Sequence, residues 1–149
     1  MLPQLSEIFK LSMPTQRFTC SLNNLEKICD YVTEYAKRAG LNESEIYAVQ
    51  LAVDEASTNI MEHGYGRECP NRIDITCEVL ENGLKVVIYD DAAPFNPESI
   101  PEPDFNVSLE EVKPRGLGVF LMRKMMDEVQ YKTTPDKGNT LIMIKYRSQ

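Results

Sequence analysis

Long apolar runs are missing from this sequence: no stretch of about 18 apolar residues occurs, so no membrane-crossing helix is expected. The N-terminal MLPQLSEIFKLSM lacks the charged flank and apolar core of a secretory signal, and the expected location is the cytoplasm. Histidine is scarce, with one copy, and the four cysteines (Cys20, Cys29, Cys69, Cys77) show no CxxC spacing. That combination excludes an ordinary structural zinc site and leaves the cysteines as expected reduced thiols. Basic residues are outnumbered, 16 Lys and Arg against 23 Asp and Glu, for a net charge of −7. Without a dense Lys/Arg stripe, a partner that must have its phosphates neutralised in bulk, such as nucleic acid, is excluded. Neither a P-loop (GxxxxGK[ST]) nor a dinucleotide-binding GxGxxG after a strand is present, and no internal repeat, low-complexity tract or interdomain linker interrupts the chain.

What remains is a globular composition, 42% hydrophobic and 26% charged, in 149 residues. One domain spanning 1–149 is expected, burying roughly 68–70% of its unfolded surface in one core. Residues 7–20 alternate loosely around Pro14 and suit a short edge strand. Ser21 can cap a helix over 22–39, with Leu25, Ile28, Cys29, Val32 and Tyr35 at helical spacing and Gly40 as its stop. Asn42 and Glu45 form a capping pair for a second helix whose apolar series is Ile46, Val49, Val53, Ala56 and Ile60, ending near His63-Gly64. Residues 72–80 and 84–90 alternate with period two around Asn82-Gly83, a hairpin signal. Between Ala92 and Pro114 lie five of the nine prolines and no periodic pattern, a long loop of the kind that usually carries function. A third helix over 116–127 and a second hairpin, 129–134 with 140–147, complete the chain. Hairpins separated by helices imply an α+β fold: a two-layer α/β sandwich with a mixed, mostly antiparallel sheet and helices on one face.

Four groups of residues can carry chemistry. Glu55 and Asn59, one turn apart on the second helix, fall at the edge of its apolar stripe, where a carboxylate and a carboxamide suit half of a magnesium site. The E-x-x-x-N spacing occurs three times, but only this pair falls on an expected helix. Asp90 ends the apolar strand VVIYD, where its carboxylate can accept a hydrogen bond from the amine of adenine and would repel the carbonyl of guanine. Arg115-Gly116-Leu117-Gly118 opens the third helix; its glycines admit an anion to unpaired N–H groups at a helix N-terminus. Gly138-Asn139-Thr140 sits in the final hairpin and leaves Thr140 at the start of a strand.

The order of these pieces resembles the Bergerat-type ATP-binding domain of gyrase-like ATPases and histidine kinases. LAVDEASTNIMEHGYG (51–66), VVIYDDAAPFNP (86–97), PRGLGVFLMRKMMDEVQY (114–131) and KGNTLIMIKY (137–146) are similar, more closely, to the anti-sigma-factor serine kinases of bacterial partner-switching systems. The resemblance implies Glu55 as the general base that orients the acceptor hydroxyl or water, Asn59 as the magnesium ligand, and Asp90 reading the adenine amine with Thr140 supporting it. Gly116 and Gly118 would hold the phosphates with Arg115 as charge partner, and residues 92–114 would be the ATP lid. It further implies ATP and Mg²⁺ as cofactors, serine phosphorylation of an anti-anti-sigma (STAS-type) protein, a sigma factor held by the ATP-bound form, and a homodimer. The alternative is a nucleotide-gated regulatory module of the same fold with little or no kinase activity. Two departures stand out: Ala92 replaces a common glycine, and Arg115 stands where many relatives carry a further glycine. His63 follows Glu62 as in many relatives and is expected to be a helix-end residue rather than a phosphoacceptor, since a histidine kinase needs a separate phosphoacceptor helix pair. Segment 90–112 holds Asp90, Asp91, Glu98, Glu102, Asp104, Glu110 and Glu111 with no Lys or Arg, so the whole excess of negative charge is expected on the lid and its hinge.

Overall fold

The computed structural model describes residues 14–64, 72–92, 106, 114–134 and 136–148, with backbone alone at 63–64 and 114–117. The elements run β1 (Thr15–Thr19), a short 3₁₀ turn (Leu22–Asn24), α1 (Leu25–Arg38), α2 (Glu43–Asn59) and a π-helical turn (Ile60–Gly64). They continue with β2 (Arg72–Leu80), β3 (Gly83–Asp90), α3 (Pro114–Met125), β4 (Glu128–Thr134) and β5 (Gly138–Tyr146). The five strands form one sheet in the order β1-β2-β3-β5-β4, and every neighbouring pair is antiparallel.

Strand alternation builds the core. Ile73, Ile75 and Cys77 of β2, Leu84, Val86 and Ile88 of β3, and Leu141 and Met143 of β5 all point to one buried side. Ile28, Val32 and Ala36 of α1, Val49, Ala52, Val53 and Ala56 of α2, and Met122 and Met126 at the end of α3 join the same buried cluster. The result is the expected α+β sandwich, with an entirely antiparallel sheet.

Local chemistry sets the helix boundaries. In the capping box before α2, Asn42 Oδ1 accepts from the Glu45 amide at 2.8 Å and Glu45 Oε1 accepts from the Asn42 amide at 2.9 Å, an arrangement that stabilises a helix start by about 1 kcal/mol. Gly40 ends α1 with φ +75, the left-handed conformation that glycine adopts without steric cost. Among the described cysteines, Cys29 and Cys77 are free thiols, whereas Cys20 is disulfide-bonded, which corrects the expectation that all are reduced. Burial pushes the Cys77 thiol up to about 12, so it is an inert part of the core.

The first hairpin differs from expectation by one residue. Leu80 pairs with Gly83, so the two turn residues are Glu81 and Asn82, not Asn82 and Gly83. Gly83 is instead required by packing: a side chain there would run into the Lys145 carbonyl and come within 2.9 Å of the Tyr146 Cα on β5.

Candidate nucleotide site

The C-terminal half of α2 supplies the first part of the site. Glu55 is half-buried, and its carboxyl is raised above its ordinary range by burial, with the neighbouring charges of Asp54 and Glu62 adding to the effect. Asn59, one turn further, is 6% exposed, deeper than its place at the edge of the apolar stripe implied. Its Nδ2 is buried without a hydrogen-bond partner among the described residues, as is Ser57 Oγ. Leaving a buried polar atom unpaired costs about 1–3 kcal/mol, so both atoms call for a partner from outside the described residues. The π-helical turn Ile60–Gly64 follows directly, and such turns concentrate at functional sites.

Helix α3 completes this part. A Cβ at Gly118 would overlap Oε2 of Glu55 and stand 3.1 Å from its Cδ, so the second glycine of the R-G-L-G segment lies directly against the carboxylate. Arg115 and Gly116 fall in the first turn of the same helix. Glu55 and Gly118, separated by some sixty positions in the sequence, are therefore neighbours in the fold.

The second part lies at the ends of β3 and β5. Asp90 is 5% exposed and points to the helix-bearing side of the sheet, in line with Val86 and Ile88. Its Oδ1 accepts from the Ala92 amide at 2.9 Å and from Asn139 Nδ2 at 3.0 Å. Burial raises the Asp90 carboxyl above its ordinary range, against the lowering effect of those two bonds. Ala92 fits where its relatives' glycine was expected: it is buried, its amide holds Asp90, and its carbonyl accepts from Asn139 at 2.8 Å.

Thr140 does not meet Asp90. In the β3–β5 register Asp90 faces Asn139 and Tyr89 faces Thr140, so Thr140 lies on the opposite side of the sheet from the carboxylate. Strand parity is the reason: the support expected of Thr140 comes from Asn139. Gly138 permits the arrangement, with φ +94 and an α-carbon so close to β3 that a Cβ would stand 2.7 Å from the Asp90 carbonyl. The lid residues 93–105 and 107–113, with the acidic side chains Glu98, Glu102, Asp104, Glu110 and Glu111, lie outside the described residues.

This site is built on a recognisable frame. A family model, the histidine kinase-like ATPase domain, matches residues 18–145. The chain belongs to the histidine kinase-like ATPase family. Within it, the chain is 30% identical over 115 residues to the serine-protein kinase RsbW of Bacillus mycoides (strain KBAB4), covering 74% of this chain and 70% of that protein. In fold it is similar to the RsbU and RsbW domains of Rv1364c from Mycobacterium tuberculosis, with TM-score 0.62 at 15% identity over 91% of this chain. It spans about a third of that structure, 33%. It also matches the catalytic domain of the histidine kinase ThkA, with TM-score 0.54 at 18% identity over 92% of this chain and 100% of that one. The similarity to anti-sigma-factor serine kinases implied by the four motifs is thus met in both sequence and fold. Among the described residues of this ATPase-family chain, no helix is long and apolar enough to cross a membrane. The residues that the motif order left out are Asn139 and its neighbour Thr133, whose only sequence signal was a position beside the glycine of a hairpin.

Proposed function

We propose that the protein is an ATP-dependent anti-sigma factor and protein-serine kinase that phosphorylates an anti-anti-sigma, STAS-type partner. The observation that carries this reading is the apposition of Glu55 with Gly118, one turn into α3, which sets a half-buried carboxylate of raised pKa close to a helix N-terminus of the kind that suits phosphate. In this reading Glu55 accepts the proton of the partner's serine hydroxyl and aims its oxygen at the terminal phosphate. Backbone N–H groups around Gly116 and Gly118 hold the phosphates, with Arg115 adding charge, and Asp90 accepts the adenine amine.

The residues fit Mg²⁺. The Asn59 carboxamide offers an oxygen donor one turn beyond the Glu55 carboxylate on α2. A hard cation that takes one or two protein oxygens and completes its shell with water and phosphate suits such a donor set. A Mg²⁺ held at Asn59 would supply the charge neutralisation at the phosphates that phosphoryl transfer requires. Residues 1–149 are one domain, 92–114 is its ATP lid, and the protein acts in the cytoplasm as a homodimer that holds a sigma factor in the ATP-bound state.

Incubation with γ-labelled ATP, Mg²⁺ and a STAS-type partner tests the reading. Label on a partner serine is expected, lost in Glu55→Ala with nucleotide binding largely retained. ATP binding without transfer to any such partner would instead assign a nucleotide-gated regulator lacking kinase activity.

A further inference from the structure

The polar ends of three adjacent strands form one hydrogen-bonded row. Asp90 on β3 faces Asn139 on β5, which faces Thr133 on the edge strand β4, all on the helix-bearing side of the sheet. Asn139 is 2% exposed, and its carboxamide is used at both ends. Nδ2 donates to Asp90 Oδ1 at 3.0 Å and to the Ala92 carbonyl at 2.8 Å, while Oδ1 accepts from the Thr133 hydroxyl at 2.8 Å. The carboxamide has one workable orientation, because turning it over would set its oxygen against the Asp90 carboxylate and the Ala92 carbonyl, while the Thr133 hydroxyl can serve as donor or acceptor. The amides of Ala92 and Asn139 both converge on Oδ1 of Asp90. No donor among the described residues reaches Oδ2.

We propose that Asn139, held by Thr133, is a positioning and base-selecting residue: it fixes the Asp90 carboxylate through Oδ1 so that Oδ2 is presented to an exocyclic amine. The inference rests on Asp90 being the reader of the nucleobase. A fixed acceptor favours a 6-amino purine and repels the 6-carbonyl of a 6-oxo purine, whereas a carboxylate free to rotate discriminates less. The bond between Asn139 and the Ala92 carbonyl also holds the second residue after β3.

The test is the ratio of ADP to IDP affinity, measured by calorimetry with Mg²⁺ on the wild type, Asn139→Leu, Thr133→Val, Thr133→Ser and Asp90→Asn. IDP carries a carbonyl in place of the amine, so the ratio reads base selection and is untouched by a general loosening of the fold. Asn139→Leu should lower the ratio about 10-fold, the scale of one charge-assisted hydrogen bond. Thr133→Val should lower it about 3-fold, and Thr133→Ser, which keeps the hydroxyl, should restore it. A wild-type ratio in folded Asn139→Leu overturns the proposal; if that variant does not fold, a wild-type ratio in Thr133→Val, an exposed edge-strand position, overturns it instead. Asp90→Asn separates the two levels. If it abolishes selection while Asn139→Leu and Thr133→Val keep it, only the positioning role falls. If Asp90→Asn also keeps it, the assignment of Asp90 as base reader fails and the positioning role with it.

Discussion

Gly118 and Glu55 are in van der Waals contact across the α2–α3 interface, with no room for a methyl group between them. The obstacle is the far end of a flexible side chain rather than backbone, so Gly118→Ala should displace the Glu55 carboxylate without disrupting the helices. Alanine in a helix interior is favoured over glycine by about 1 kcal/mol. The variant should therefore melt at the wild-type temperature or slightly above, while phosphate transfer at saturating ATP falls about 100-fold, the scale of a lost general base. A stable variant with full transfer rate would break the link between these residues.

Asn59 should show the opposite signs for stability and function. Asn59→Leu removes a buried carboxamide whose nitrogen has no partner among the described residues. Stability should stay level or rise by about 1 kcal/mol. Mg²⁺-dependent nucleotide binding, measured by titration with and without EDTA, should be lost.

Two carboxyls make the protein pH-sensitive. Asp90 and Glu55 both titrate above their ordinary values of 3.8 and 4.5, each chiefly because burial penalises the charge. Protonation therefore favours the folded ligand-free protein, an advantage complete below the unfolded values and lost as pH rises through the folded ones. In the proposed reading nucleotide binding runs the other way, because an adenine amine donating to Asp90 needs the carboxylate ionised. From 3.8 upward, the melting temperature of wild type relative to Asp90→Asn should fall as pH rises, while affinity for ADP climbs. Scanning fluorimetry and calorimetry across that window check both signs; a parallel change in the two would contradict them.

Gly138 carries a structural load near the base reader. Its φ of +94 and its approach to the Asp90 carbonyl both exclude a side chain. Gly138→Ala should cost about 2 kcal/mol. For a chain of this size that lowers the melting temperature by about 4–8 °C. Because the strand ends it disturbs are those that hold Asp90, bound ADP should stabilise Gly138→Ala by less than it stabilises the wild type, read as the smaller ADP-induced rise in melting temperature.

Much of this was legible in the sequence, for reasons that can be named. Helices α1 and α2 announce themselves through 3.6-residue periodicity, the Asn42/Glu45 capping box and Gly40, all local signals. The hairpin turn slipped by one residue because Gly83 answers to the close approach of β5, a distant strand. Resemblance assigns Thr140 to Asp90, from its place in a Gly-x-Thr pattern. The following Leu141-Ile142-Met143-Ile144 is apolar at every position, so two-residue alternation offers no check on which sheet face Thr140 takes. Only pairing with β3 sets which residue of the Gly138-Asn139-Thr140 turn meets Asp90. The burial of Asn59 escaped the helical wheel for a similar reason, since a wheel describes one helix and not what packs around its end.

The most direct measurement is a calorimetric titration of the wild-type protein and Asp90→Asn with Mg·ATP. A nucleotide pocket formed by Glu55, Asn59, Asp90 and the Gly116–Gly118 helix start predicts one site per chain in the micromolar range, weakened at least about 10-fold by Asp90→Asn. No heat of binding at millimolar Mg·ATP, or equal affinity in the variant, would contradict it.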